Sequence, residues 1–253
     1  ELEGILESMV GGVDFAKLRY FHLAQGTVDG FPLTVTRTGY TGDLGYELWV
    51  RPEHAERLWD CLIDRGAGHG ILPAGIIALD IARVEAGLIM IAVDYVSSHH
   101  AVIESQKSSP YEIGLGWAVS PGKADFIGRR ALLAERQRGS TWAFVGVRYD
   151  WNALERLFAD EDLPPRVAGR ASRSAVPVYE SGNPGHHVGQ ITSHTFSPIL
   201  KQYVGIGTIL TPHAQLGARV DVEVTVEFKR KLCQATIVPT PFFEPSRKKG
   251  LGD

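Results

Sequence analysis

The densest concentration of chemically useful side chains is a glycine-rich hairpin, where Tyr40, Asp43, Tyr46 and Glu47 crowd onto the turn chemistry of Gly39, Gly42 and Gly45. Aromatic walls beside one carboxylate suit a flat heterocycle with adjacent N–H donors, because two carboxylate oxygens accept a pair of parallel hydrogen bonds. Other candidates are weaker. Gly66-Ala-Gly-His-Gly70 follows a helical pattern rather than a strand, and it misses the spacing of a dinucleotide loop. Gly116 to Lys123 is one residue too long for a phosphate-cradling loop, with Ala124 where a hydroxyl would hold magnesium. The pairs His99-His100 and His186-His187 are neighbours that point apart, so neither gives two ligands to one metal, and no metal site is expected. Cys61 shares a helix side with Leu58, Trp59 and Leu62, where a thiol acts as a small hydrophobe, and no nucleophile motif is present.

Several elements must position these groups. Leu33 to Thr38 and Tyr46 to Val50 alternate apolar with polar, the pattern of two strands around the hairpin's wide tip. Ala55, Leu58, Trp59, Leu62 and Ile63 define an amphipathic helix with Gly66 as its C′ residue. A second helix is expected from Pro73 at N1 to a stop at Gly87, with Asp80 and Arg83 as a surface i,i+3 pair worth a few tenths of a kcal/mol. A third runs from Asp125 as N-cap to Gly139. From Trp142 onward, short strand-like runs are separated by Gly, Pro and Ser. They include Val176 to Tyr179, Val188 to Thr192 and the alternating valines 220, 222, 224 and 226, with a turn at Lys229-Arg-Lys231. An amphipathic helix between Trp151 and Leu163 precedes most of them. Strands so spaced read as an antiparallel barrel or sandwich.

The bulk properties exclude whole classes of function. At 253 residues, 44% hydrophobic and 22% charged, the chain can bury one large core or two modest ones. A formal charge of −3 supplies no general field for nucleic acid or anionic lipid. The basic clusters Lys229-Arg-Lys231 and Arg247-Lys-Lys249 lack interleaved aromatics and read as solvated surface. Neither a nucleic-acid nor a membrane partner is expected. The longest apolar run, Ala86 to Val93, is too short to span a bilayer. Two distant cysteines and no secretory segment near Glu1 point to a reducing, cytoplasmic compartment.

Arg37-Thr-Gly-Tyr-Thr-Gly-Asp-Leu-Gly-Tyr-Glu-Leu48 resembles the RTGYTGE-x-G-[FY]-E-[IL] signature of the aminomethyltransferase family, the T-protein of the glycine cleavage system and its folate-dependent relatives. Three further stretches agree in order. Pro73 to Leu88 is similar to the family's AGLGARDxLRLEAGL helix, and Glu112 to Val119 with Asp125 to Arg129 to its EAGLGWAV…FIGREAL. Pro177 to Tyr179, Val188 to Ser193 and Thr195 to Pro198 are similar to its PVY…VGxVTSGTFSPTL. The resemblance implies an α+β fold: a partial folate-binding α+β domain over 1–120, a linker helix over 121–141 and an antiparallel C-terminal β-barrel over 142–253. It implies tetrahydrofolate as cofactor and transfer of an aminomethyl or methyl group from a small-molecule one-carbon donor, with a lipoyl carrier protein as a further partner. By the same resemblance Glu47 holds the pterin edge, Tyr40 lines the pterin pocket and Trp117 borders the folate channel. Taken as ordinary structure, the three would be a turn carboxylate, a packing aromatic in the hairpin and a core tryptophan.

Departures from the family pattern bear on the substrate. The folate-contacting arginine of GARD falls on Leu79, and Arg247 stands near the tyrosine that follows the family's PF motif, here Pro241-Phe242. Arg83 matches the second arginine of the helix and is assigned a structural role. The first residues resemble the segment after the family's LALQGP strand. The aspartate placed near the reactive carbon is thus expected ahead of Glu1, no residue of the chain is assigned as catalytic, and residues 1–253 alone are expected to bind folate weakly without turnover. Asp94-Tyr95 and the stretch through Ser109, where the family has YGxD…TTP, fit a different donor pocket, and a demethylase of a small methylated compound is the alternative enzyme. A non-catalytic folate-binding or scaffold protein is the alternative class. Its iron–sulfur-linked form carries KGCYxGQE, whose cysteine is absent from Pro121 to Arg130.

Overall fold

A computed structural model of the chain describes residues 2–246. Arg247 and the rest of the basic Arg247-Lys-Lys249 cluster lie outside the described residues. The chain divides into two compact units, one of residues up to Leu79 with those from Glu244, the other Asp80–Phe243. Among the described residues no helix is long and apolar enough to cross a membrane.

The first unit packs helices α1 (Leu2–Met9) and α2 (Ala55–Gly66) with an antiparallel sheet of β1 (Leu23–Val28), β2 (Phe31–Thr36) and β3 (Glu47–Trp49). Period-two alternation in β2 sends Phe31, Leu33 and Val35 into a core shared with Ile5, Leu6 and Leu58. Arg37, just past β2, is buried and donates from Nη1 to the Leu18 carbonyl at 2.9 Å, which fixes the start of the hairpin tip.

Three helix boundaries differ from those expected. Gly66 closes α2 inside the helix, not beyond it, because a Cβ there would meet Ile71 Cγ2 at 2.5 Å; Gly70, at φ 71°, is the left-handed stop. Helix α3 (Ile76–Glu85) starts three residues after Pro73. Its end is as expected: Gly87 N–H bonds to the Val84 carbonyl and Leu88 N–H to the Arg83 carbonyl, a Schellman closure around φ 68°. Helix α4 (Arg129–Arg138) is capped by Gly128, not Asp125, and Ile127 is left fully exposed.

The second unit is built on a closed antiparallel barrel in the order β4-β7-β6-β5-β8-β9, which settles the choice between barrel and sandwich. Its strands are β4 (Trp142–Tyr149), β5 (Val176–Glu180), β6 (Asn183–Ser197), β7 (Gln202–Leu210), β8 (Arg219–Val226) and β9 (Lys229–Val238). Val147, Val178, Ile191, Ile209, Val222 and Ile237 fill the interior. Helix α5 (Trp151–Ala159) follows β4, with Asp150 capping the Ala153 N–H at 2.9 Å. The last hairpin turns at Glu227-Phe228, both with positive φ as a two-residue primed turn needs, so Lys229, Arg230 and Lys231 belong to β9 and not to the turn. Lys229 and Lys231 reach Glu161 at 2.7 and 2.8 Å.

A buried ionic network ties α3 to the barrel. The expected surface pair Asp80–Arg83 is instead interior, with Arg83 0% exposed. Its Nε donates to Asp80 Oδ1 at 2.8 Å, its Nη1 to Asp94 Oδ2 at 2.6 Å and its Nη2 to Ser193 Oγ at 2.7 Å. Thr192 and Ser193 hydroxyls both donate to Asp94 Oδ1, and Arg173 Nε meets Asp80 Oδ2 at 2.9 Å. Two arginines therefore balance two aspartates. A register shift in the β6–β7 pairing between Ile191 and Ser193 lets consecutive hydroxyls face one carboxylate. Removing one member leaves an uncompensated charge. Arg83→Met and Asp94→Asn should each lower stability by about 3–5 kcal/mol in urea unfolding, whereas a loss under about 1 kcal/mol would mean the pair is locally solvated.

A second polar cluster sits in a 700 Å³ cleft at the barrel, where His194 Nδ1 lies 3.1 Å from Tyr203 Oη and Tyr149 packs edge-on to Tyr203. Burial lowers the His194 pKa from 6.5 to about 4, so the ring stays neutral in the fold. Between those values the unfolded chain binds a proton that the folded chain does not, and stability falls as pH is lowered. The loss should approach about 3 kcal/mol by pH 4, read from urea midpoints across this range, and His194→Gln should remove that part of the slope.

Candidate functional site

The structure gives the hairpin its expected form. Strands β2 and β3 pair as Thr34↔Trp49, Val35↔Leu48 and Thr36↔Glu47, and residues 37–46 make the irregular tip between them. Glu47 therefore sits directly across from Thr36 on the last rung, at the open end of the ladder. The Thr36 hydroxyl donates to Glu47 Oε2 at 3.2 Å, and Thr36 and Thr38 hydroxyls lie 2.8 Å apart. Glu47 is half-buried, and its second oxygen accepts no hydrogen bond from a described residue. A carboxylate anchored through one oxygen with the other open is set to receive an N–H donor.

Tyr46 and Tyr40 part company. Tyr46 turns inward, its ring edge-on to Phe15 at 5.4 Å and its hydroxyl donating to Glu3 Oε1 at 2.9 Å. Burial, then the neighbouring Glu3 carboxylate, pushes the phenol up to about 12, so it remains a proton donor to Glu3. Tyr46 thus fixes the tip to α1 and forms no wall of a site. Tyr40 is half-buried in the tip itself, and the Asp43 side chain accepts from the Leu44 N–H at 2.8 Å, holding the turn.

Trp117 lies in the other unit, on a 3-10 turn (Gly116–Ala118). The turn is held by Leu115 N–H to the Pro110 carbonyl and Ala118 N–H to the Leu115 carbonyl. At 69% exposed, Trp117 is not a core residue. Leu79, where the family has an arginine, is a half-buried residue of α3. The thiols offer no nucleophile: Cys61 packs against the core of the first unit, and burial drives Cys233 up to about 12. Two further clefts are lined by other residues, one of 750 Å³ by Gly12, Gln25, Leu33 and Trp49, and one of 490 Å³ by Asp94, Tyr95, Glu112 and His187.

Residues 3–123 match the model of the GCVT N-terminal domain, and residues 166–244 that of the glycine cleavage T-protein C-terminal barrel domain. An aminomethyltransferase of Bacillus mycoides (strain KBAB4) is 34% identical over 247 residues, covering 97% of this chain and 58% of the relative. One from Desulforamulus reducens is 32% identical over 244 residues, covering 96% and 58%. The chain thus spans under two thirds of these relatives' length. The crystal structure of glycine cleavage system aminomethyltransferase T from Bartonella henselae superposes with a TM-score of 0.71 at 23% identity, over 95% of this chain and 56% of that one, and so shares the fold. The two family models together cover both units' characteristic motifs in order, and the chain belongs to the aminomethyltransferase family of glycine cleavage T-proteins.

Proposed function

We propose that the chain is the folate-binding part of a tetrahydrofolate-dependent one-carbon transferase, moving an aminomethyl or methyl group from a small-molecule donor. The supporting observation is Glu47: a half-buried carboxylate anchored by Thr36 through one oxygen, with the other open among the described residues. This acceptor fits the group, because Oε1 is open and Oε2 keeps a second lone pair beside the one that takes the Thr36 hydroxyl. A pterin edge presents adjacent N–H donors, and one carboxylate accepts both where a neutral amide accepts one and opposes the other. When bound, tetrahydrofolate supplies the nitrogens that take up the one-carbon unit.

In this reading Glu47 fixes the orientation of the heterocycle and Tyr40 provides an aromatic face beside it; Trp117, in the other unit, is assigned to the folate by the family motif alone. Tyr46, tied to Glu3 and Phe15, keeps the tip rigid so that the Glu47 carboxylate is already placed when ligand arrives. The partners implied are the one-carbon donor and, for an aminomethyl group carried on protein, a lipoyl carrier protein. Leu79, lacking the guanidinium of the family's arginine, removes a positive contact and sets this chain apart in donor or in folate affinity.

Calorimetric titration with tetrahydrofolate tests the reading. Glu47→Gln should weaken binding tenfold or more, about 1.4 kcal/mol. Equal affinity in the parent and Glu47→Gln, or no binding by the parent, would overturn it and leave the scaffold alternative.

A further inference from the structure

At one rim of the barrel, three potential metal donors from three separate segments converge. Glu180 ends β5, His186 lies in the first turn-side residues of β6, and His213 ends the 3-10 turn Thr211–His213 that follows β7. One ligand atom from each lies within 4.8 Å of the other two. His186 Nδ1 is 3.0 Å from Glu180 Oε2, and the His186 and His213 rings are 5.5 Å apart at 77°.

Local structure holds all three in place. Pairing of β5 with β6 runs Tyr179↔His187 and then Glu180↔Asn183, so the start of β6 is bulged and His186 is turned back over Glu180. Asn183 Nδ2 donates to the same Glu180 oxygen at 3.1 Å, and the Gly182 N–H is tied to Asp221 at 2.9 Å. The turn carrying His213 is anchored by the Thr211 hydroxyl to the Ser140 carbonyl at 2.7 Å and by Pro212. His213 is half-buried, and among the described residues neither of its ring nitrogens has a hydrogen-bond partner. His187 points the other way, packing on Tyr179.

We propose that Glu180, His186 and His213 form a binding site for a divalent transition metal of the zinc class. Two imidazoles and a carboxylate are the donors such ions prefer over calcium or magnesium, and three protein ligands leave a fourth position for water. Tetrahedral ligands at about 2.1 Å from zinc stand about 3.4 Å apart, so small side-chain rotations close the observed spread. The site is independent of the folate reading, with which it shares no residue.

The test is titration of the chain with Zn2+ against a chromophoric chelator, with Co2+ absorption as a second readout of coordination. One Zn2+ per chain is expected, with a tetrahedral or five-coordinate Co2+ spectrum. His213→Ala, His186→Ala and Glu180→Gln should each weaken binding at least tenfold, while His187→Ala should not. Glu180→Gln changes no volume and so serves if a histidine variant fails to fold. Absence of Zn2+ binding, or binding that survives Glu180→Gln and His213→Ala together, would overturn the proposal.

Discussion

The second unit depends on the charge balance around Arg83. A guanidinium with no access to water must find acceptors for its five N–H groups, and four of them go to Asp80, Asp94, Ser193 and the Leu88 carbonyl. Satisfying them draws together the second half of α3, the loop through Asp94 and strand β6. That loop is further fixed by the Met90 N–H, which donates to Asp94 at 2.7 Å. The Thr192 and Ser193 hydroxyls on the bulged stretch of β6 both bond the same Asp94 carboxylate, which links the bulge to α3 through Arg83.

The hairpin of the first unit works by the same logic on a smaller scale. Arg37 bonds the Leu18 carbonyl at one side of the tip and Tyr46 bonds Glu3 at the other, so the ten irregular residues between β2 and β3 are held at both ends. Glu47 follows directly after the second anchor. Its position on the final rung of a strand pair explains how a carboxylate stays half-buried yet keeps an open oxygen. The rim cluster of Glu180, His186 and His213 is built differently, from a bulge and a pinned turn, and needs neither network.

What was legible in the sequence was what depends on near neighbours. Alternation marked β2, β3 and β8, the i,i+3,i+4 spacing marked α2, and the glycines after Arg37 marked the tip with Tyr40 and Glu47. Arg83 reads as half of a surface pair because Asp80, three residues away, offers a complete local explanation, while Asp94 lies 11 residues on and Ser193 110. No local pattern reports that distance. Pro73 and Asp125 carry the right chemistry for helix starts, but Gly75 and Gly128 next to the true starts took precedence. His186 and His187 read as a pair that points apart, and no local spacing links His186 to Glu180 at the end of β5 or to His213 in the turn after β7. Trp117 could be placed by motif, yet its exposure follows from a 3-10 turn that spacing does not reveal.

In the proposed function the hairpin tip around Glu47 receives the folate heterocycle. Hydrogen–deuterium exchange of the chain with and without saturating tetrahydrofolate locates the binding segment directly. Added protection is expected across residues 36–49, while the barrel cleft at Tyr149, His194 and Tyr203 is unchanged. Protection confined to that barrel cleft, with 36–49 unaffected, would contradict it.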